Sequence, residues 1–411
     1  MGVTHINHIK PGMVLDDDIR DHHGRFLLGK DLTIEPKHLR ILKIWGINQA
    51  DIKNDDIKES EGDEQFDLET LNLAQEIIHN KVSWSNKAGE INENLLEIFI
   101  HSACQKLNTG QKHFGFTTDQ QAPDNTDEKA LINTESRLQN DTELISVPRI
   151  FLLIREAIKD PRTSARHIAD IISKDQALAA KLLRLVNSAF YGFPSKIDTI
   201  SRAVTIIGTR QLSSLALGLS TLSRFRNISP EVMDMESFWK HSIACAIGAK
   251  TLAGYRKLPN TESFFICGLL HDLGKLIMLN YYPREYLNSL LWAFRNKSSL
   301  SRAEKMFFVH DHASLGAKLA KKWKLPLKIE QTILHHERPL NSSFPLEATM
   351  VHTANILANG CFIGSGGEST IPEMDVDSWK KVHLETNTLN QTARLMQSQV
   401  DNIYQLLFHQ D

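Results

Sequence analysis

His271 and Asp272 stand side by side at the end of an apolar run, Phe265-Ile266-Cys267-Gly268-Leu269-Leu270, and Lys275 follows one helical turn later. A carboxylate carried into apolar surroundings needs a counter-charge, because desolvating an unpaired charge is strongly unfavourable. Two partners are open: a metal ion shared with His271, or the Lys275 ammonium at i+3 while His271 caps or packs. Further histidines recur around this dipeptide: His241 after Phe238-Trp239, His310 and His312, and the adjacent His335-His336. Each alone reads as an ordinary core or surface histidine. On successive helices of one domain they become a donor set, and imidazole with carboxylate suits iron, manganese, zinc or nickel.

The segments that must position these groups are helical. Residues 142–358 form an almost unbroken series of helical patterns. Ala177, Leu178, Leu182, Leu183, Leu185 and Val186 share one stripe, and Leu315, Leu319 and Trp323 recur at i, i+4 and i+8. Pro148, Pro194, Pro326 and Pro339 mark entries and exits. Strand signals are scarce there, so the chain is expected to be mainly α, with an all-helical domain at its centre. Residues 64–107 form a preceding helical segment, with Phe66, Leu68, Leu71, Leu73 and Ile77-Ile78 on one face and Leu95, Leu96, Ile98 and Phe99 on another.

Residues 1–55 read as a small α+β module. Short strands at Val14-Leu15, Ile19 and Phe26–Leu28 alternate with turns at Pro11-Gly12, His23-Gly24 and Gly29, and a helix through Leu39, Ile41, Leu42 and Trp45 stops at Gly46. Residues 108–141 are polar and aperiodic, the composition of a flexible linker. Residues 359–411 supply a loop and a C-terminal helix. Gly364-Ser365-Gly366-Gly367 lacks the Gly-Lys-Ser/Thr ending of a P-loop and reads as a surface loop. The last helix, with Leu395, Met396, Val400, Ile403, Tyr404 and Leu407, is expected to cover the domain; the alternative is a partner-binding face, as for Ile19 to Leu28.

Composition removes several function classes. Lys and Arg number 47 against 49 Asp and Glu, so no global field draws the protein to nucleic acid or anionic lipid, and direct nucleic-acid binding is not expected. Cys104, Cys245, Cys267 and Cys361 are dispersed, as reduced thiols of a cytosolic protein are. The N-terminus lacks a basic-then-apolar signal, and no apolar run approaches the ~20 residues of a membrane span. A soluble, cytoplasmic protein is expected.

The order His241, then His271-Asp272, then a polar residue on a later helix resembles the HD superfamily of metal-dependent phosphohydrolases. The run from Asp175 to Tyr191, Ile197 to Gly208, Phe238-Trp239-Lys240-His241-Ser242, and the stretch from Trp323-Lys324-Leu325-Pro326 to His335-His336 resemble the HDOD family of bacterial signalling proteins. The likeness covers roughly residues 142–345. Ile9 to Leu15 with Trp45-Gly46-Ile47 resembles a small module often found ahead of HDOD and HD-GYP domains. Within this signature, Asn187-Ser188 and Phe190 to Pro194 read as capping and packing groups rather than chemistry.

The HD-GYP relatives hydrolyse cyclic di-GMP at a site with two or three metals. The resemblance assigns metal positions to His241, His271, Asp272, His312, His335 and His336, and the working groups of an active enzyme to Asp272 and Lys275. Three elements depart from it. The acidic position one turn before His241 falls at Ser237, with Glu236 turned about 100° away. The closing aspartate is Asn355, and Glu337-Arg338-Pro339-Leu340 replaces the Gly-Tyr-Pro signature. A neutral carboxamide is a poor ligand for a hard dication, and two dications about 3.5–4 Å apart repel without bridging carboxylates. One divalent transition metal (Fe, Mn, Zn or Ni) is therefore the most this site is expected to hold. The expected function is signal transduction by a catalytically degenerate domain that binds a metal, a nucleotide ligand or other signalling proteins. The alternative is a metal-dependent phosphohydrolase acting on a cyclic dinucleotide or another nucleotide.

Overall fold

The computed structural model describes residues 2–5, 9, 12–20, 26–35, 38–39, 42, 49–53, 66–84, 89–111, 114, 131–134, 149–160, 162–193, 195–222, 228 and 232–408. Two separate cores organise it. The smaller belongs to the N-terminal module, where β1 (Gly2–His5) pairs antiparallel with β4 (Gln49–Ile52) and β2 (Ile19–Arg20) with β3 (Phe26–Leu28). Val14 and Leu15 bridge to Thr33 and Ile52. Leu15, Ile19, Leu28, Ile34, Leu42 and Ile52 fill this core. His38, Leu39 and Leu42 are helical, as the apolar spacing requires. The expected turn at His23-Gly24 and the Trp45-Gly46-Ile47 stop lie outside the described residues, as do Pro148 and Pro194.

The larger core is helical. An antiparallel pair, α1 (Leu68–Lys81) and α2 (Glu90–Asn108), precedes it. Five helices follow: α3 (Arg149–Lys159), α4 (Ala165–Ser173), α5 (Gln176–Val186), α6 (Ile200–Ile207) and α7 (Thr209–Leu222). Side-chain caps start most of the short ones: Ser164 accepts from His167 N, Asp175 from Leu178 N and Thr199 from Arg202 N. Asn187 links the end of α5 to the next turn, its amide holding Ile197 N and O at 2.7 Å each. That is the structural role its type predicts.

The centre is α8 (Met235–Tyr255), capped by Asp234 and buried on nearly every face from Phe238 onward. A helix apolar all round must be surrounded, and α8 packs on α9 (Thr261–Leu270), α15 (Pro345–Gly360) and α17 (Asn387–Phe408). Between them run α10 (Leu273–Tyr281), α11 (Pro283–Arg295), α12 (Leu300–Phe307), α13 (His312–Lys322) and α14 (Leu327–His335); α16 (Val376–Val382) follows α15. Leu395, Met396, Val400, Ile403, Tyr404 and Leu407 of α17 are all buried.

Within 108–141, the described residues touch the helical body. Phe114 packs edge-on against Phe362, Ile132 bridges to Phe308, and Thr134 is buried. No helix among the described residues is long and apolar enough to cross a membrane.

Candidate functional site

From Phe264 onward the α9 sequence is apolar on all sides, so the helix runs through the core and delivers its C-cap residue, His271, to the interior. Asp272 then occupies the N-cap position of α10 without making a side-chain cap bond, which leaves its carboxylate to the pocket. Lys275, one turn on, reaches back to Asp272 Oδ2 at 3.0 Å. His241 arrives from the middle of α8, with Nε2 3.8 Å from Asp272 Oδ2. His312, at the start of α13, and His336, just past α14, place Nε2 atoms 3.7 and 4.0 Å from Asp272 Oδ1. All six side chains are buried.

Two glycines fix how closely these helices approach. A Cβ on Gly274 would collide with the His312 carbonyl, and one on Gly316 would come within 2.9 Å of Gly274 N. Helices α10 and α13 therefore cross backbone to backbone beside the pocket.

Hydrogen bonds assign the imidazole tautomers. His271 Nδ1 donates to Gly268 O at 2.8 Å and His336 Nδ1 to Ile333 O at 2.8 Å, so both turn an Nε2 lone pair inward. His271 Nε2 and Asp272 Oδ1 are buried without a hydrogen-bond partner, while Asp272 Oδ2 is ion-paired with Lys275. His312 differs: its Nδ1 donates to Glu304 Oε2 at 2.7 Å, and its Nε2 lies 3.4 Å from His336 Nε2. Burial alone would disfavour its charge, but the Glu304 carboxylate overrides this and holds the imidazole pKa up to about 9. Burial pushes His241 down to about 4 and lowers His271 and His336 as well. Asp272 stays ionised against its burial because His271, Lys275 and His312 surround it. Lys275 stays charged against its own burial because Asp272 and Glu368 face it.

Donors of His271, Asp272 and His336 lie within 4.8 Å of one another, as do those of His312, His336 and Glu337, and those of His241, Cys245 and His271. The inward lone pairs of His271 and His336 and the free Oδ1 of Asp272 fit one divalent ion that these three residues would hold, with His241 adjacent. Such an ion would supply Lewis acidity toward an oxygen ligand. A second ion fits poorly, because the other two donor sets draw on His336 Nε2 or His271 Nε2, each of which offers a single lone pair.

The remaining expected positions fall as follows. Asn355 lies beside His241, its Oδ1 taken by Asn359 Nδ2 at 2.8 Å. Ser237 offers only its backbone carbonyl, which accepts from Ser365 N at 3.1 Å, and Glu236 pairs with Lys240 at 2.9 Å outside the pocket. His335 corrects the expectation. It is half-exposed and makes none of these contacts, because adjacent helical residues diverge by about 100° and His336 takes the inward direction. His310 also stays outside, with Lys318 Nζ 2.9 Å from its Nε2.

A second correction concerns the glycine-rich stretch, which is not a surface loop. Residues 361–371, the strap, cross the pocket mouth and are mostly buried. Gly364 (φ +67°) and Gly367 (φ +91°) adopt turns that other residues resist. A Cβ on Gly366 would sit 2.9 Å from Asp272 Oδ2, so only glycine lets the main chain lie on the cluster. Lys275 Nζ donates to Gly366 O at 3.0 Å, and Glu368 adds a carboxylate 3.6 Å from the same ammonium.

Histidines and a carboxylate gathered from successive helices define the class: a helical domain of the HD superfamily. Residues 144–339 match the HDOD domain family. An uncharacterized protein of Treponema pallidum (strain Nichols) is 32% identical over 202 residues, 48% of this chain and 38% of that protein. The chain thus spans less than two fifths of that curated relative's length. Solved structures share the fold. An HDOD domain protein with unknown function from Geobacter sulfurreducens superposes with a TM-score of 0.53 at 24% identity, covering 67% of this chain and 97% of that one. A Shewanella amazonensis SB2B protein provisionally named a phosphohydrolase gives 0.52 at 23% identity, covering 66% and 97%. The chain carries an HDOD domain.

Proposed function

We propose that the domain is a regulatory binding module of bacterial signalling, in which an HD pocket has lost hydrolysis and responds to a metal, a small ligand or a partner. One observation carries this reading: the protein fills its own pocket. The Lys275 ammonium lies 3.0 Å from Asp272 and 3.6 Å from Glu368 and donates to Gly366 O, with the strap across the mouth. A phosphodiester in this place would have to displace the strap. A catalytic metal pair would also need a bridging carboxylate where Asn355 offers an amide.

Elemental analysis of untagged protein, purified without added ions, should find at most one transition metal per chain. The His271→Ala/Asp272→Ala double variant should hold none. Incubation with cyclic di-GMP or pppGpp in the presence of Mn²⁺ or Fe²⁺ should give no turnover above that of the double variant. Turnover that the double variant abolishes would overturn the reading.

The unpartnered His271 Nε2 and Asp272 Oδ1 favour a second reading, a metal-dependent phosphohydrolase that works once the strap is withdrawn. The same turnover measurement decides between the two.

A further inference from the structure

The strap is moored to helices that precede the matched domain. At its start, the Cys361 carbonyl accepts from Ser102 Oγ of α2 at 3.1 Å, and that hydroxyl accepts from Gln397 Nε2 of α17 at 2.8 Å. The Phe99 ring of α2 packs so closely on Gly360 that a Cβ there would collide with it. At the far end, Ile371 N donates to Lys81 O at 2.9 Å, and the Trp84 indole N–H donates to Ile371 O at 2.9 Å. Lys81 Nζ reaches Ser369 O at 3.4 Å, and Val82 bridges Ile371 in parallel register. Trp84 and Phe99 meet edge-on with centroids 6.4 Å apart, which links the two moorings through one aromatic contact.

Between the moorings the strap is held to the domain by few polar contacts. Beside the main-chain bonds of Phe362 N to Asn359 O and Ile363 N to Ala358 O that continue the end of α15, these are Ser365 N to Ser237 O, Lys275 Nζ to Gly366 O, Leu300 N to Glu368 Oε2 and Ser369 Oγ to Ser298 O. Because the strap continues from the end of α15 and is also bonded to the α1–α2 pair near both of its ends, displacing that pair pulls on it at two points. Both glycine turns, at Gly364 and Gly367, lie inside this span and allow it to lift without distorting its ends.

We infer that the α1–α2 pair is the handle of the strap, and that displacing the pair draws residues 363–368 off the histidine cluster and opens the HD pocket. The pocket thereby becomes responsive to whatever acts on the segment before the domain. The inference rests on the reading of the pocket as a regulated binding site only for the consequence of opening; the coupling itself rests on the moorings.

The test is hydrogen exchange of the full chain followed by mass spectrometry, with Zn²⁺ uptake from a chromophoric chelator as the pocket probe. Trp84→Phe with Ser102→Ala removes the side-chain hydrogen bond to the strap at each mooring, together with the Gln397–Ser102 bond, and keeps most of the packing. Exchange across 363–371 should accelerate about tenfold, with peptides of α8 and α9 unchanged, and Zn²⁺ uptake should quicken in parallel. Should the double variant fail to fold, Ser102→Ala alone should give about a threefold acceleration. Unchanged exchange across 363–371, with faster exchange confined to 81–84 and 102, would overturn the coupling. Faster strap exchange with no Zn²⁺ uptake by either protein would support the coupling while removing the metal from the pocket's function.

Discussion

Lys250 and Lys275 are both buried in the helical domain and both paired with carboxylates, yet their surroundings differ. Lys250, on α8, pairs with Glu262 of α9 at 3.2 Å and lies over the rings of Phe190 at 4.6 Å and Tyr191 at 3.5 Å. One cation, one anion and two aromatic faces make a matched set that ties α8 to α9 and to the turn after α5. Around Lys275 the account does not close. Two carboxylates and a main-chain carbonyl share one ammonium, while His271 Nε2 and Asp272 Oδ1 lack hydrogen bonds. A buried charge is common to both places. Spare acceptor capacity, an imidazole and a carboxylate lone pair side by side, marks the second as a place where a cation or a donor can bind.

The largest effect should come from breaking the matched set. Lys250→Met leaves Glu262 buried and unpaired, and should cost about 3–5 kcal/mol in urea unfolding while Zn²⁺ uptake stays as in the wild type. Lys250→Met with Glu262→Leu should recover most of that loss, as an apolar replacement of a whole pair does. A double variant no better than the single would show that the pair is not a self-contained unit. Gly366→Ala comes next. Its Cβ presses on Asp272, so about 1–3 kcal/mol of stability should be lost and the strap should exchange faster. Lys275→Met should act differently from Lys250→Met. A cation 3.0 Å from a ligand oxygen competes with a dication, so its removal should tighten Zn²⁺ binding about tenfold by competition titration. Weaker binding would mean that Lys275 supports the ligand set, and the contrast between the two lysines would fail. The smallest effect belongs to His335→Ala, which should change stability by no more than about 0.5 kcal/mol and leave metal content untouched.

Much of this arrangement could be read from residue order. The helices are signalled by apolar spacing and by caps such as Asp175, Ser299 and Asp311, each bonded to an amide three residues on. His241, His271, Asp272, Lys275, His312 and His336 are suggested by type and by their place on successive helices. Convergence, however, depends on packing between helices, which no local pattern contains. Glu304 shows the limit. In Arg302-Ala303-Glu304-Lys305 it looks like a solvated charge, yet it is fully buried and holds His312. Its signal was the stripe Leu300, Ala303, Glu304 and Phe308, which sets an acid on the apolar face of α12. Glu368 was hidden differently. Glycines usually mark exposed turns, whereas here they let the main chain approach a polar cluster, and the carboxylate follows it inside.

The crossing of α10 and α13 at Gly274 and Gly316 has a consequence for how such a site can diverge. Main chain rests on main chain there, so the span between the Asp272 side and the His312 side is gauged by atoms that every residue possesses. Side chains around the rim can be exchanged while that span stays constant. Chemistry can therefore drift at this cleft faster than its dimensions, until a change at either glycine forces the two walls apart.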